Sequence, residues 1–312
     1  MAGFPRAAGV PDHTKTGSAF IPEFFSTKTQ IKYYENCVAL DICNTDFTED
    51  IKSQGDRVTI RTIPTTTISA FSAGQSLKTQ QATSTPIVFY VDKAQSFTLG
   101  FDDVIEFQSD LPMVDIQTAD AGKKMAEAID ADILQNTYSS ADADNYGSTA
   151  GLISNTYDLG SAGAPLVFSE SNATKTLTTC GVVLYEQNVP GDNRWIVLPA
   201  WALGVLQNSD LKNASLTGEA KSPLLTGKIS DNIAGFKVYW SNQLATASDA
   251  SGVTAWYCPF GHRDAISFAS QIIKTETVRN GDTFGDIVRG LEVYGYKVTK
   301  DTALGYLYIT LA

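Results

Sequence analysis

Histidine is almost missing: His13 and His262 are the only two in 312 residues, which leaves few side chains able to exchange a proton near neutral pH. Cysteine is sparse as well. Cys37, Cys43, Cys180 and Cys258 show none of the short paired spacings of a zinc site or a redox dithiol, and four thiols in a chain this long make no disulfide scaffold. The expectation is a reducing compartment, with no metal and no cofactor. Basic residues are outnumbered, 23 Lys and Arg against 34 Asp and Glu, giving a net charge of −11 and a pI near 4.6. That balance argues against a surface made to hold phosphate backbones, which clusters Lys and Arg. It suits solubility, or a wall around nucleic acid that does not stick to it. Long apolar runs are also lacking. "WIVLPAWALGVL", residues 195 to 206, is the longest and falls far short of the roughly 20 residues a membrane-spanning helix needs. The opening "MAGFPRAAGVPDHTKTG" has no apolar core for a signal peptide. The chain reads as soluble, made in cytoplasm and without a membrane partner.

What is abundant is hydrophobic residues, at 43% enough for a sizeable core, and one stretch that cannot build one. Between Pro64 and Pro86 stand ten Ser or Thr. Flanking them, "RVTIRTI" and "PIVFYV" alternate as strands do. Read alone, such a tract is compatible with a disordered loop. Its β-branched run Thr65, Thr66, Thr67, Ile68, with Phe71 and Leu77 near the tip, favours a projecting hairpin instead. With about 12 residues a side at ~3.3 Å each it would reach roughly 40 Å. An isolated two-stranded ribbon is marginal in water, so it is expected to lie on another copy of the chain through Ile68, Phe71, Leu77 and Lys78.

Residues 1 to about 30 read as an extended arm whose Phe20, Phe24 and Phe25 also need a surface; "KTQIKYYENCVALDI" reads equally as a short helix or a strand. After the hairpin, "QSFTLGFDD" is a return strand, and the clearest helix follows. Ser109 or Asp110 can cap it, Pro112 falls in its first turn, and the stripe runs through Val114, Ala121, Met125, Ile129 and Ile133 to about Asn136. At some 27 residues and 1.5 Å each it would be a spine about 40 Å long. Its small residues (Ala119, Ala121, Gly122, Ala126, Ala128) predict a flat neighbour such as a sheet. Residues 138–172 are turn-rich. Beyond them "NATKTLTTCGVVLYEQ" reads as a helix, "RWIVLPAWALGVL" as a buried strand followed by a helix, "AGFKVYWSNQL" as a strand, and "WYCPFGHRDAISFAS" as a strand entering a second element. "IVRGLEVYGYKVTK" and "GYLYITLA" follow, with Tyr294, Tyr296, Tyr306 and Tyr308 expected on half-buried pleated surface. The class is α+β, with no internal repeat.

Chemistry is hard to place. His262 sits beside Asp264, as an oriented base would, but no nucleophile accompanies it and a structural role is the better reading. Asp130 and Asp132 lie two apart on the spine, diverge, and read as a solvated face. Glu276, Asp282 and Asp286 lack the spacing of a calcium loop and read as turn and cap residues, although a carboxylate-site enzyme would have to rest on them. "NYGSTAG" lacks the lysine of a phosphate loop.

Four phrases now matter together: "VDKAQSFTLGFDDVIEFQSDLPMVDIQTADAGKKMAEAIDADIL", "NRWIVLPAWALGVL", "ISDNIAGFKVYWSNQL" and "GDTFGDIVRGLEVYGYKV". In wording and order they resemble the major capsid protein of tailed bacteriophages, over nearly the whole chain. The resemblance implies an arm (1–50), an extended hairpin loop and return strand (51–100), a peripheral domain with the spine helix (101–140), an axial domain (141–280) and terminal strands of the peripheral domain (281–312). It implies a structural protein and no enzyme, self-assembling into hexamers and pentamers of an icosahedral shell around double-stranded DNA held without sequence recognition. Implied partners are a portal, a scaffolding protein separate from this chain, since the segment before the hairpin is too short to hold one, and room for a decoration protein. Implied places are the virion capsid and, for assembly, the host cytoplasm. Some members join subunits through a Lys–Asn bond assisted by Glu; Lys78 matches that lysine only loosely and the crosslink is not carried over. A bacterial compartment shell of the same fold is the nearest alternative, and a β-rich adhesin or tail component a more distant one.

Overall fold

The computed structural model describes residues 32–48, 57–64, 66–76, 79–81, 83–108, 112–212, 232–249, 252–281 and 284–311. In chain order the elements are α1 (Ala39–Ile42), β1 (Arg57–Ile60), β2 (Ile87–Tyr90), β3 (Lys93–Asp102), α2 (Asp103–Gln108) and α3 (Met113–Asn136). Next come β4 (Leu166–Phe168), α4 (Ala173–Glu186), β5 (Arg194–Leu198), α5 (Ala200–Asn208), β6 (Asn232–Ile233), β7 (Phe236–Trp240) and β8 (Thr246–Ser248). The chain closes with β9 (Thr254–His262), β10 (Ile266–Arg279), β11 (Gly285–Val298) and β12 (Leu304–Leu311). The mixture is the α+β class expected.

Two sheets carry the body. One is a three-stranded antiparallel sheet in the order β10-β11-β3, dominated by the long β10–β11 hairpin. The other runs β4-β12-β9-β5-β7-β6, with β8 added on β9, and mixes parallel and antiparallel pairs. All five residues of β5 are buried, as a continuous apolar strand covered on both faces should be. The main core lies around this sheet, with Ile196, Phe236, Phe260, Leu307 and Leu177 of α4 fully enclosed. Gly160 holds a left-handed φ of +82°, and a Cβ there would stand 2.1 Å from the Tyr308 carbonyl oxygen, so only glycine fits.

The chain passes between the sheets three times, from β3 to β4 by way of the helices and again at turns 263–265 and 301–303; just before the last turn the Thr299 N–H donates to the Ala265 carbonyl (2.8 Å). Buried His262 serves the first turn, its Nδ1 accepting the Asp264 N–H at 3.2 Å. β10, in the expected 141–280 segment, pairs with β11 of the three-stranded sheet, and β12, in the expected 281–312 segment, lies between β4 and β9 of the larger sheet.

The spine is α3, 24 residues long; Pro112 stands at its N-cap without a side-chain cap bond, and Ser109 and Asp110 lie outside the described residues. A separate short helix, α2, lies upstream of the expected start, and the spine itself is 24 residues long where about 27 were expected. Burial rises along the spine: Val114, Ala121 and Met125 are half-buried, Ile129 and Ile133 buried. Of the small residues, Ala119, Gly122, Ala126 and Ala128 are exposed, and Ala126 lines a cavity shared with Phe268, Ile273 and Glu292 of the sheet that lies against the spine.

Candidate assembly interface

The Ser/Thr-rich hairpin begins as a ladder of four residue pairs, Arg57↔Tyr90 through Ile60↔Ile87. A ribbon of some 12 residues a side was expected, and among the described residues no regular pairing continues past Ile60. Side chains take over the closure. Thr62 Oγ1 donates to the Thr85 carbonyl (2.7 Å) and Ser84 Oγ to the Thr62 carbonyl (2.6 Å). Gln80 then grips Thr67 from both sides, its Nε2 donating to the carbonyl at 2.8 Å and its Oε1 accepting the N–H at 3.1 Å. The tip turns at Ser72–Gln75, with Gly74 at φ +89°. Hydroxyls and amides thus replace backbone ladder bonds in an arm with no core of its own.

That closure leaves the apolar groups outside. Ile63 and Ile68 are each 95% exposed and Phe71 is 64% exposed. Leu77 and Lys78, and the arm residues Phe20, Phe24 and Phe25, lie outside the described residues. At the root, Phe89, Val91 and Ala269 form a small second core with Val58 and Ile60. Beside it opens a groove of about 390 Å³ lined by Phe47, Ile63, Ile87, Asp264 and Lys300. A second exposed apolar group, unforeseen from the sequence, sits at the far end of the three-stranded sheet. There Phe107 of α2 and Phe284 are almost wholly exposed, and the Asp103 N–H donates to the Phe284 carbonyl at 3.2 Å.

The spine is bolted on two sides by the two acids read as solvated. Asp130 is buried, and its Oδ1 accepts the N–H groups of Val38 (2.8 Å) and Ala39 (2.6 Å), holding the start of α1. Burial pushes its carboxyl up, opposed by those two bonds. Asp132 points to the sheet: Lys93 Nζ reaches both its oxygens (3.0 and 2.8 Å), and Tyr294 and Tyr296 donate to it at 2.9 and 3.1 Å. Tyr294 is fully buried, against the half-burial expected, and desolvation raises its hydroxyl to about 12. Ahead of α1, residues 32–38 run along the spine as an extended strap. Lys32 and Tyr34 bind Asp120 (2.5–2.8 Å), and the Glu35 N–H donates to Glu127 at 2.7 Å. Over its described residues, 32–42, the ambiguous segment is therefore strap followed by short helix.

The acids on which an enzyme would have to rest do not converge. Glu276 is paired with Lys274 (2.7 Å) and Arg289, which hold its carboxyl below the ordinary range. Asp286 shares Arg279 with Asp103, and Asp282 lies outside the described residues. A carboxylate kept ionised by surface cations is poorly suited to proton exchange at neutral pH. Among the described residues no group of three or more His, Cys, Asp or Glu is placed to hold a metal ion.

A family model for phage capsid protein matches residues 85–307, well over half the chain. The chain belongs to the phage capsid protein family. Solved capsids share its fold. The Mycobacterium phage Che8 chain is 24% identical at a TM-score of 0.69, the match covering 92% of this chain and 96% of that one. The capsid of cyanophage P-SCSP1u, 16% identical, matches over the full length of both chains at 0.70. The capsid of a native GTA particle, 12% identical, covers 94% and 96% at 0.61. No curated protein matches. The fold is that of tailed-phage capsids, as the four phrases implied, and the protein is a shell-forming major capsid protein of the bacteriophage virion. Among the described residues of this capsid protein, the projecting hairpin and the far end of the three-stranded sheet both expose large apolar side chains.

Proposed function

We propose that this capsid protein forms hexamers and pentamers of an icosahedral shell in which each hairpin lies across the adjacent subunit. In this reading the shell is assembled in the host cytoplasm with a separate scaffolding protein and a portal, and encloses double-stranded DNA without reading its sequence. The observation that carries it is the hairpin's exposure. Burying Ile63, Ile68 and Phe71 gains about 1.5–3 kcal/mol each, and a monomer leaves that gain unrealised. The net charge of −11 supports the passive role toward DNA, since nothing in it favours phosphate binding.

Deleting residues 66–84 tests the reading. The body is expected to keep its circular-dichroism spectrum and cooperative unfolding while particle yield by electron microscopy collapses. Loss of folding would make the hairpin part of the core, and unimpaired particles would remove its role between subunits. The particle's contents decide between a DNA container and a compartment shell around a cargo enzyme.

A further inference from the structure

We propose that the free edge of β10 pairs antiparallel with the same edge of a second copy, about a two-fold axis at Thr275, fusing two three-stranded sheets into one of six strands. This rests on the shell reading and names one of its contacts.

β10 is an edge strand in the order β10-β11-β3. Among the described residues only its root is covered, where Asn44 bridges Ser267 and its carbonyl accepts the Phe268 N–H at 2.9 Å. Further along, Ile273, Lys274, Thr275, Thr277, Val278 and Arg279 are exposed, Ile273 to 70%. A long open edge bearing an exposed β-branched apolar residue is a template for another strand.

Charge selects both the occupant and the register. Residues opposite one another in an antiparallel pair share a face. Within one chain Glu276 already holds Lys274 and Arg289; with the axis at Thr275, Lys274 also stands opposite Glu276 of the second copy, and Glu276 opposite that copy's Lys274, so the pairs join into one network across the edge. Ile273 meets Thr277 of the second copy. Moving the axis one residue either way sets Lys274 against itself or Glu276 against itself. A two-fold contact uses the same patch twice, so each favourable or unfavourable pair counts double. The lysine that would blunt this edge against a foreign strand is thus complementary to its own copy.

The test is a disulfide at the axis. Directly opposed antiparallel residues have Cα atoms about 4.5–5.5 Å apart, within the roughly 4.4–6.8 Å a disulfide accepts. In a Cys37→Ser background, which removes the one exposed thiol, particles carrying Thr275→Cys are oxidised and run on a non-reducing gel. The expected result is a covalent dimer from Thr275→Cys and none from Thr277→Cys, which faces position 273, with a dimer returning when Ile273→Cys is combined with Thr277→Cys. Lys274→Glu should cut the Thr275→Cys dimer at least tenfold. Particles that form normally while Thr275→Cys stays monomeric overturn this contact and leave the shell reading standing. A wild-type chain that forms no particle under any condition overturns both.

Discussion

At the scale of single residues, Asp130 and Asp132 are the most instructive. Their spacing of two was legible as divergence around the helix, and the divergence is real. What the sequence could not show is that the spine has a neighbour on each side, so that each acid finds its own partner: the strap for Asp130, the sheet tyrosines and Lys93 for Asp132. Single-residue burial depends on contacts far along the chain, and the partners lie 39 to 164 positions away. Asp130→Ala is expected to cost about 2–4 kcal/mol, because two backbone N–H groups near the start of α1 lose their acceptor in a buried place. Asp120→Ala, at the exposed end of the strap, should leave the denaturation midpoint almost unmoved. Urea unfolding of the two variants side by side checks the contrast; equal effects would mean that burial does not decide the strap's anchoring.

At the scale of elements, periodicity read from sequence placed the spine, α4, α5 and the later strands close to their observed positions, since apolar spacing reports which face is buried. The hairpin was placed but its interior was not: β-branched residues announce extended backbone without saying whether backbone or side chains will bond it. The strap shows the same limit, since its attachment is electrostatic and leaves no period. That attachment makes an acid-sensitive element. Bonds from Lys32 and Tyr34 hold the Asp120 carboxyl below the ordinary range, and Lys124 with the Glu35 N–H does so for Glu127. A lowered native value means stabilisation that is complete above the unfolded carboxylate value and is lost as pH falls through the native one. Asp130, whose carboxyl burial raises, has the opposite sign: its ionised form is penalised at neutral pH, and acid relieves the penalty. The strap should therefore loosen from its outer end. Amide protection factors, corrected for intrinsic exchange, are expected to fall at residues 32–35 below about pH 4, while those at 38–42 hold. Loss at both ends together would show that the rungs are not independent.

At the scale of the whole molecule, a charge of −11 on every copy sets assembly against itself. Bringing like-charged subunits together costs energy at every contact, and the cost is screened by salt, with a Debye length of about 30 Å at 0.01 M and about 10 Å at 0.1 M. Apolar burial by the hairpin is insensitive to salt over that range, whereas the Lys274–Glu276 contact between copies weakens in the same salt that relieves the repulsion. The two effects differ in reach. Net repulsion acts between whole surfaces and responds from the lowest ionic strengths, while a pair in direct contact is little screened until the Debye length nears its separation. The concentration at which light scattering first reports particles should therefore drop as salt rises from roughly 10 to 150 mM. Lys274→Glu lowers the charge by a further two per subunit, so its threshold should start higher and fall more steeply. A threshold that rises with salt in the wild-type chain would place specific ion pairs, and not buried apolar surface, in control of shell formation.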